Sequence, residues 1–242
     1  MSRPKQSIAQ QLNTGQLAIG NSLSDPEIQS LVAQFGYPAV KLNEGKALYD
    51  CALSAVNAEK SAAGAQQEST RVLEQAETSA REAYQALAKV ARAVFGKDKA
   101  QLNALGLSGN TPKDTAGFIA CAYTLFDNAR TLPALADYGY DSVKLQSERA
   151  KIAAYDSANQ QQEAAKGAAQ QATREQDSAL QALNEWTSQY LKIAKVALRE
   201  KSQLLEKIGV TARTSKTAAQ RAAPKKASAT RAAKKAQVSN AK

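Results

Sequence analysis

The 242-residue sequence contains no histidine and only two cysteines, Cys51 and Cys121. Without histidine the chain lacks the commonest general base, Ser–His and Cys–His nucleophile pairs, and His-ligated metal sites. Carboxylate pairs such as Glu74 and Glu77 lack the Glu-x-x-His partner of di-metal sites. No glycine-rich phosphate loop is present, because the glycines are single. We therefore expect no enzyme, no catalytic residue, no cofactor and no metal site.

Aromatic residues and long apolar runs are also scarce. Phe, Tyr and Trp make up 5% of the chain, and no segment approaches the run of about 18 apolar residues that crosses a membrane. The first residues are basic, but no apolar run follows them, which excludes a standard signal peptide. The two cysteines fit a reducing compartment in which both thiols are small buried side chains. We therefore expect a cytoplasmic protein without a transmembrane segment.

One stretch of the sequence is written twice. Residues 28–107, moved forward by 103 positions, align without a gap with residues 131–210 and give 21 identical pairs in 80 positions. The identical pairs include glycines, a tyrosine and an arginine, which low complexity does not explain. Together with the abundant Ala, Gln, Glu, Lys and Leu, this internal repeat predicts an all-α protein built from long helices.

The segments around the repeat define the domain organisation. Residues 1–24 are polar and uneven, and they predict a flexible N-terminal segment. Asp25 followed by Pro26 is typical of a helix start, since the carboxylate caps the helix and proline is harmless at its first position. We expect a duplicated helical body and a disordered tail: the body spans 25–210, with copies 28–107 and 131–210 and a linking helix over about 113–130, and the tail spans 211–242.

The long element of each copy allows two architectures. In the first, each copy forms one helix of about 55 residues, about 80 Å long, and the two run antiparallel like a coiled coil with short capping helices. In the second, Gly64 and Gly167 each end a helix, and two hairpins form a four-helix bundle. Thr173 with Gln176 resembles a capping box, but the flanking residues are helix formers and a lone glycine costs only about 1 kcal/mol. The sequence leaves both open.

Apolar residues are concentrated toward the ends of these long elements. No aromatic residue occurs over 56–83 or 156–185, where Ala, Gln, Glu and Ser dominate. We therefore expect the core near the element ends, with a thin, alanine-lined stretch between them. Trp186 and Tyr190 lie one helical turn apart, so they form either a stacking platform for bases or part of the core stripe. Their helical spacing favours the core.

The closing segments of the two copies carry a resemblance. In the first copy they are Lys89-Val-Ala-Arg-Ala-Val-Phe95 and Leu102-x-x-Leu-Gly-Leu107. In the second copy they are Lys192-Ile-Ala-Lys-Val-Ala-Leu198 and Leu204-Leu-x-x-Ile-Gly-Val210. Over residues 25–210 the chain resembles a loose group of uncharacterised bacterial duplicated helical proteins. The resemblance implies a helical fold and no particular activity.

The tail carries almost all of the net charge. Residues 211–242 hold nine basic side chains and no acidic one, whereas residues 1–210 hold 23 basic and 22 acidic ones. Like charges with little apolar content cannot form a core, so the tail alone is predicted to be disordered. By composition it resembles the lysine- and alanine-rich tails of linker histones. We predict non-specific contact with nucleic acid or another polyanion through Arg213, Lys216, Arg221, Lys225, Lys226, Arg231, Lys234 and Lys235.

Three functional hypotheses follow from these features. The first is a non-enzymatic protein that binds nucleic acid, DNA favoured, through its tail, and that is nucleoid-associated if it does so. The second is a scaffold whose helical body self-assembles into a homo-oligomer, with the tail as a solubilising extension. The third is an adaptor that recruits a partner helix, for which the sequence has no groove signature.

Overall fold

The computed structural model describes residues 6–211, and within that range all regular secondary structure is helical, without strands. The predicted all-α class is confirmed. The elements are α1 (Ile8–Ser24), α2 (Pro26–Ala33), α3 (Ala39–Phe95), α4 (Lys99–Ala104), α5 (Thr115–Ala129), a 3-10 helix (Pro133–Tyr138), α6 (Ser142–Ala197) and α7 (Ser202–Lys207). The predicted linking helix over about 113–130 corresponds to α5.

The long elements α3 and α6 are single, uninterrupted helices of 57 and 56 residues. The hairpin alternative is therefore wrong: Gly64 and Gly167 lie inside α3 and α6. Thr173 does not cap a second helix, because its hydroxyl donates to the Ala169 carbonyl oxygen at 2.9 Å, one turn back along α6. The helix-forming residues around each glycine outweigh its modest cost of about 1 kcal/mol.

The prediction of a flexible segment over 1–24 is corrected by α1, which spans Ile8–Ser24. Ser7 begins this helix with a capping box. Its hydroxyl oxygen accepts from the Gln10 backbone N–H at 3.2 Å, and the Gln10 side-chain oxygen accepts from the Ser7 N–H at 2.9 Å. Two backbone donors that a helix start leaves unpaired are thereby satisfied.

Small residues allow α1 to pack closely against α6. A Cβ atom added to Gly15 would lie 3.2 Å from the Leu183 side chain, so the helix backbone approaches α6 closely at this point. The buried residues of α1 follow a helical spacing, and all but Ile19 are small or polar: Gly15, Ala18, Ile19 and Ser22. The low apolar content of this face explains why the sequence reads as a polar lead-in.

The chain divides into two compact units. The described part of unit 1 comprises residues 6–50 and 182–211. Its core joins side chains from both ends of the chain: Ala18, Ile28, Val32, Tyr37, Leu42, Tyr190, Ala194, Leu198, Leu204, Leu205 and Ile208. Unit 1 thus combines α1, α2 and the first residues of α3 with the last residues of α6 and α7.

Unit 2 comprises residues 51–181 and has a separate core. The core joins the last third of α3 to α5 and to the first residues of α6. Its largest fully buried side chains are Tyr155, Phe118, Phe126, Leu87, Leu105, Leu125, Leu135 and Ile152. No described residue over 57–79 is buried. The expectation of a core-poor, alanine-lined stretch therefore holds for α3.

The two long helices pack together within each unit. In unit 1 Gly45 of α3 lies against the Trp186 ring of α6, and in unit 2 the Gln176 amide donates to the Glu59 carboxylate at 3.5 Å. Within unit 2, Glu59 contacts Gln176, whereas residues 80–91 of α3 share a core with residues 145–155 of α6, so the two helices are antiparallel there.

Matched positions of the two sequence copies adopt the same backbone conformation. Among the described residues, only four have a positive φ, and they form two pairs 103 residues apart. Gly36 and Gly139 have φ of 85° and 83°, and Gly106 and Gly209 have φ of 70° and 79°. Only glycine adopts this left-handed conformation without a steric cost, and it commonly terminates helices. These shared glycines therefore end the short helices in both copies.

The helices that precede the copies also correspond, with an offset of 107 residues. The buried positions of α1, moved forward by 107, fall on four buried positions of α5: Ala122, Leu125, Phe126 and Ala129. A hydrogen bond repeats as well. The Asn21 amide donates to the Lys207 carbonyl at 2.5 Å, and the Asn128 amide donates to the Ala104 carbonyl at 2.6 Å. Each unit therefore fixes a leading helix to the closing helix of the other copy.

The core differs between the units through compensating changes in size. In unit 1 the glycine at position 15 faces Leu183. The matched positions in unit 2 are Ala122 and Ala80, both fully buried. A large side chain opposite glycine and two alanines fill comparable space, as a close-packed interior requires.

Two glycines of α3 should respond in opposite ways to replacement by alanine. Gly64→Ala should stabilise the protein by about 0.5–1 kcal/mol, because Gly64 is an exposed residue inside a helix and nothing lies near its added Cβ. Gly45→Ala should destabilise it by about 1–3 kcal/mol, because the new Cβ would overlap the Trp186 ring. Urea unfolding of both variants measures the difference. Loss of stability in Gly64→Ala would contradict an uninterrupted α3.

Candidate functional site

The predicted nucleic-acid-contacting residues, from Arg213 to Lys235, lie outside the described residues. Residues 6–211 contain 21 basic and 22 acidic side chains, so the net charge of +10 arises outside this range. Many of the ion pairs within it are exposed and one turn apart on a helix, such as Lys46 with Asp50 and Arg71 with Glu68. Such pairs contribute little stability and leave no large excess of one charge.

The described part of the chain contains no group of three or more His, Cys, Asp or Glu side chains that could hold a metal ion. No helix within residues 6–211 combines the length and apolar character that crossing a membrane requires. Both cysteines are free thiols. The expectation of two buried thiols is wrong for Cys51, which is exposed on α3, whereas Cys121 is half-buried beside the Tyr84 hydroxyl at 3.4 Å.

Trp186 and Tyr190 belong to the core of unit 1, as their spacing favoured. Tyr190 is fully buried, stacks on the Trp186 ring with centroids 5.3 Å apart, and shares a hydrogen bond with Ser22. Burial raises the pKa of Tyr190, and the Ser22 hydrogen bond opposes that change. Tyr37 packs against both rings, at 5.8 and 5.1 Å. A base cannot stack on rings enclosed in this way.

Each unit exposes large apolar side chains around a Gly–Tyr turn. We call residues 35–40 turn 1 and residues 138–143 turn 2. In turn 1 Phe35 is 46% and Val40 73% exposed, and in turn 2 the matched Tyr138 and Val143 are 60% and 74% exposed. Single exposed apolar residues are common on protein surfaces. Their recurrence at matched positions in both units makes the turns candidate contact surfaces.

The two turns differ in charge. Lys41, which follows turn 1, lies 4.5 Å from the centre of the Tyr37 ring. The matched Lys144, which follows turn 2, pairs instead with Glu148 at 2.7 Å. Turn 2 also contains Asp141, whereas turn 1 has a neutral proline at the matched position. Turn 1 is therefore flanked by a lysine without a carboxylate partner among the described residues, and turn 2 is acidic.

An open cavity of about 530 Å³ lies between the start of α1 and the last turns of α6 in unit 1. We call it the α1–α6 cavity. Thr187 lines it, is only 4% exposed, and has a hydroxyl group without a hydrogen-bond partner among the described residues. The other polar residues that line the cavity are Gln6, Thr14, Asn184, Ser188, Lys192 and Lys195.

The matched position of unit 2 holds a larger buried side chain. Tyr84 occupies the position that corresponds to Thr187, is 3% exposed, and places its hydroxyl 3.4 Å from Thr111 and from Cys121. No sequence pattern predicted the α1–α6 cavity. The change from tyrosine to threonine between matched positions was the available signal, but its meaning depends on which helices cover that position.

A second opening in unit 1 also lies at positions where unit 2 has larger side chains. An apolar groove of about 350 Å³ between α1 and α3 includes Gln16, Gly20 and Lys46 in its lining. In unit 2 the matched positions hold Tyr123, Asp127 and Arg149. There Arg149 pairs with Asp127 at 2.6 Å and lies 4.9 Å from the centre of the Tyr123 ring. Unit 2 therefore has longer side chains in mutual contact at the positions that border the groove in unit 1.

Comparison with known proteins produced no match: no protein-family model, no curated protein and no solved structure is similar to this chain. The resemblances drawn from the sequence therefore remain expectations. The function has to be argued from the charge distribution of the sequence and from the described residues themselves.

Glu148 should make stability depend on pH. Burial would raise its pKa, but hydrogen bonds from Lys144 and Lys151 outweigh that effect and lower it. A lowered pKa stabilises the folded state above the ordinary pKa of 4.5, and the contribution is lost as pH falls through the folded-state value. Glu148→Gln should therefore cost about 1–2 kcal/mol near pH 7, and the cost should shrink as the pH falls below 4.5, measured by urea unfolding.

Glu163→Gln is the matched control. Its carboxylate is 62% exposed and lies 3.6 Å from the Lys166 ammonium group, so its replacement should change stability by less than about 0.5 kcal/mol. Equal costs for the two variants, or a cost for Glu148→Gln that does not change with pH, would contradict the prediction.

Proposed function

We propose that the protein is non-enzymatic and associates with nucleic acid, DNA favoured, through the basic tail at residues 211–242. The observation that carries the proposal is the separation of charge: nine cations and no acid in the tail, against a nearly neutral body. Each cation that contacts a phosphate releases a condensed counterion, so binding is salt-dependent and almost independent of base sequence.

In this proposal the helical body acts as a spacer or a dimerisation element that carries the tail. We further propose that the body arose by internal duplication. The matched glycines, the repeated asparagine hydrogen bond and the compensating core positions support that origin. The protein would lie in the cytoplasm, associated with the nucleoid when its tail is bound to DNA.

The tail proposal predicts the outcome of a gel shift with duplex DNA. The full chain should bind at about 50 mM salt and lose most of its affinity by about 200 mM, because several counterions are released at once. A full-length variant with the eight named tail cations from Arg213 to Lys235 replaced by glutamine, and a 1–210 truncation, should not bind. Replacing eight body cations instead is the control and should preserve binding. The proposal is wrong if full chain and truncation bind alike, or if neither binds at low salt.

A second candidate function is self-assembly of the helical body as a scaffold. The exposed side chains of turns 1 and 2 at matched positions support it. Turn 2 is acidic and turn 1 is followed by Lys41. Turn 1 and turn 2 of different molecules therefore attract each other, whereas two copies of turn 2 repel. Turn 1 of one molecule would therefore contact turn 2 of the next, which is a heterologous contact that forms rings or open chains.

Substitution of one valine in each turn tests this candidate. Wild-type protein should increase in mass with concentration in light scattering, whereas Val40→Lys combined with Val143→Lys should remain monomeric, because lysine keeps the turn hydrated. Val196→Lys, at a 51% exposed position outside both turns, is the control and should behave like wild type. A wild-type chain that remains monomeric at every concentration excludes the scaffold.

A further inference from the structure

We propose that the apolar groove between α1 and α3 in unit 1, which we call the α1–α3 groove, binds the aromatic ring of a small uncharged compound. Its volume of about 350 Å³ falls within the range of about 300–1,000 Å³ that is usual for small-ligand sites. A stable protein interface, by contrast, covers about 800 Å² on each partner. The groove belongs to the helical body, so the proposal does not rest on the role of the tail.

Apolar side chains form most of the surface of the groove. Ile19 of α1 belongs to the buried residues of the protein and borders the groove together with Leu23 and Tyr49. A Cβ atom added to Gly20 would meet nothing within 4 Å, so the space beside this residue is open. A ligand in this space would remove apolar surface from water, which is the main favourable contribution to the binding of an apolar compound.

The charges at the edge of the groove favour an uncharged ligand. The Lys46 ammonium group pairs with the Asp50 carboxylate at 2.6 Å, one turn further along α3, and both residues border the groove. The pair balances the two charges within α3, and a charged ligand would have to compete with it. A lysine ammonium group can still be attracted to the face of an aromatic ring that lies beside it.

Unit 2 indicates the chemical class of the ligand, because one of its own side chains supplies a ring at the matched place. Tyr123 of α5, which matches Gln16, contacts α6 through both its ring and its hydroxyl group. The Arg149 guanidinium lies 4.9 Å from the centre of the ring, and the hydroxyl donates to the Asp156 carboxylate at 3.4 Å. In unit 1 the exposed Gln16 has no ring to place between the two helices.

The residues matched to the contacts of Tyr123 predict which ring fits the groove. Lys46 stands at the position of Arg149 and keeps a cation for the face of a ring. Leu53, which is 37% exposed, stands at the position of Asp156 and cannot accept a hydrogen bond from a ring hydroxyl. We therefore expect toluene, the side-chain analogue of phenylalanine, to bind more tightly than p-cresol, the side-chain analogue of tyrosine.

Titration of the isotope-labelled full chain with toluene, followed through the NMR shifts of the backbone amides, tests the site. We expect one saturable site with the largest shifts at groove residues such as Gly20 and Leu23. Gln16→Tyr recreates the ring of unit 2 and should lower the affinity for toluene about tenfold or more, because the new ring competes for the groove. Gln16 is exposed, so its replacement leaves the core intact.

Two matched variants and one matched compound are the controls. Tyr123→Gln changes the corresponding position of unit 2, and Gln75→Tyr adds a ring at an exposed glutamine of α3 in unit 2. Both variants should keep the affinity of the full chain for toluene. Methylcyclohexane has a similar outline but no aromatic electrons, so it should bind at least about threefold more weakly than toluene.

Four results would overturn the proposal: no saturable shifts, shifts centred outside the groove, unchanged affinity in Gln16→Tyr, or equal affinities for methylcyclohexane and toluene. Light scattering adds a fifth. If the protein self-associates and toluene reverses the association, the groove holds a ring of a second copy and not a small compound. Circular dichroism confirms that each variant is folded. A failed gel shift with an intact toluene site would reject the tail proposal alone, and the reverse result would reject the groove alone.

Discussion

The main constraint on this structure is that its two long helices are rich in alanine and must still bury enough apolar surface to pack together. Alanine side chains permit a close approach but remove little area from water, so a long stretch of α3 has no buried residue. Burial is concentrated where a leading helix covers the pair. α1 does so in unit 1, where Ala18 and Leu23 pack against the core, and α5 does so in unit 2, where it adds Phe118, Leu125 and Phe126.

The side chains that border α1 and α5 also differ between the two units. The two units share backbone turns and an asparagine hydrogen bond, but their side chains have diverged. Unit 2 fills its surface with Tyr84 and with the Asp127–Arg149 pair. Unit 1 has Thr187 and Gly20 at the matched positions and keeps two openings.

Charge and fold are distributed independently along the chain. Many charged side chains of the body form local ion pairs, and its net charge is close to zero. Repulsion between like charges therefore does little to destabilise its fold. In the proposed function, the cations of the tail would contact a polyanion without involving those pairs.

The sequence by itself determined the helical class, the repeat, the position of α5 and the glycine turns, because these follow from local propensity and spacing. The sequence did not decide whether α3 and α6 are continuous, because a single glycine can lie inside a helix or end one. Only the tertiary structure decided that residues 8–24 form a helix and that position 187 borders a cavity. Burial of Gly15 depends on Leu183, far along the chain. A small residue at position 187 leaves a cavity only because α1 lies beside that part of α6. The sequence does not show which helices are neighbours.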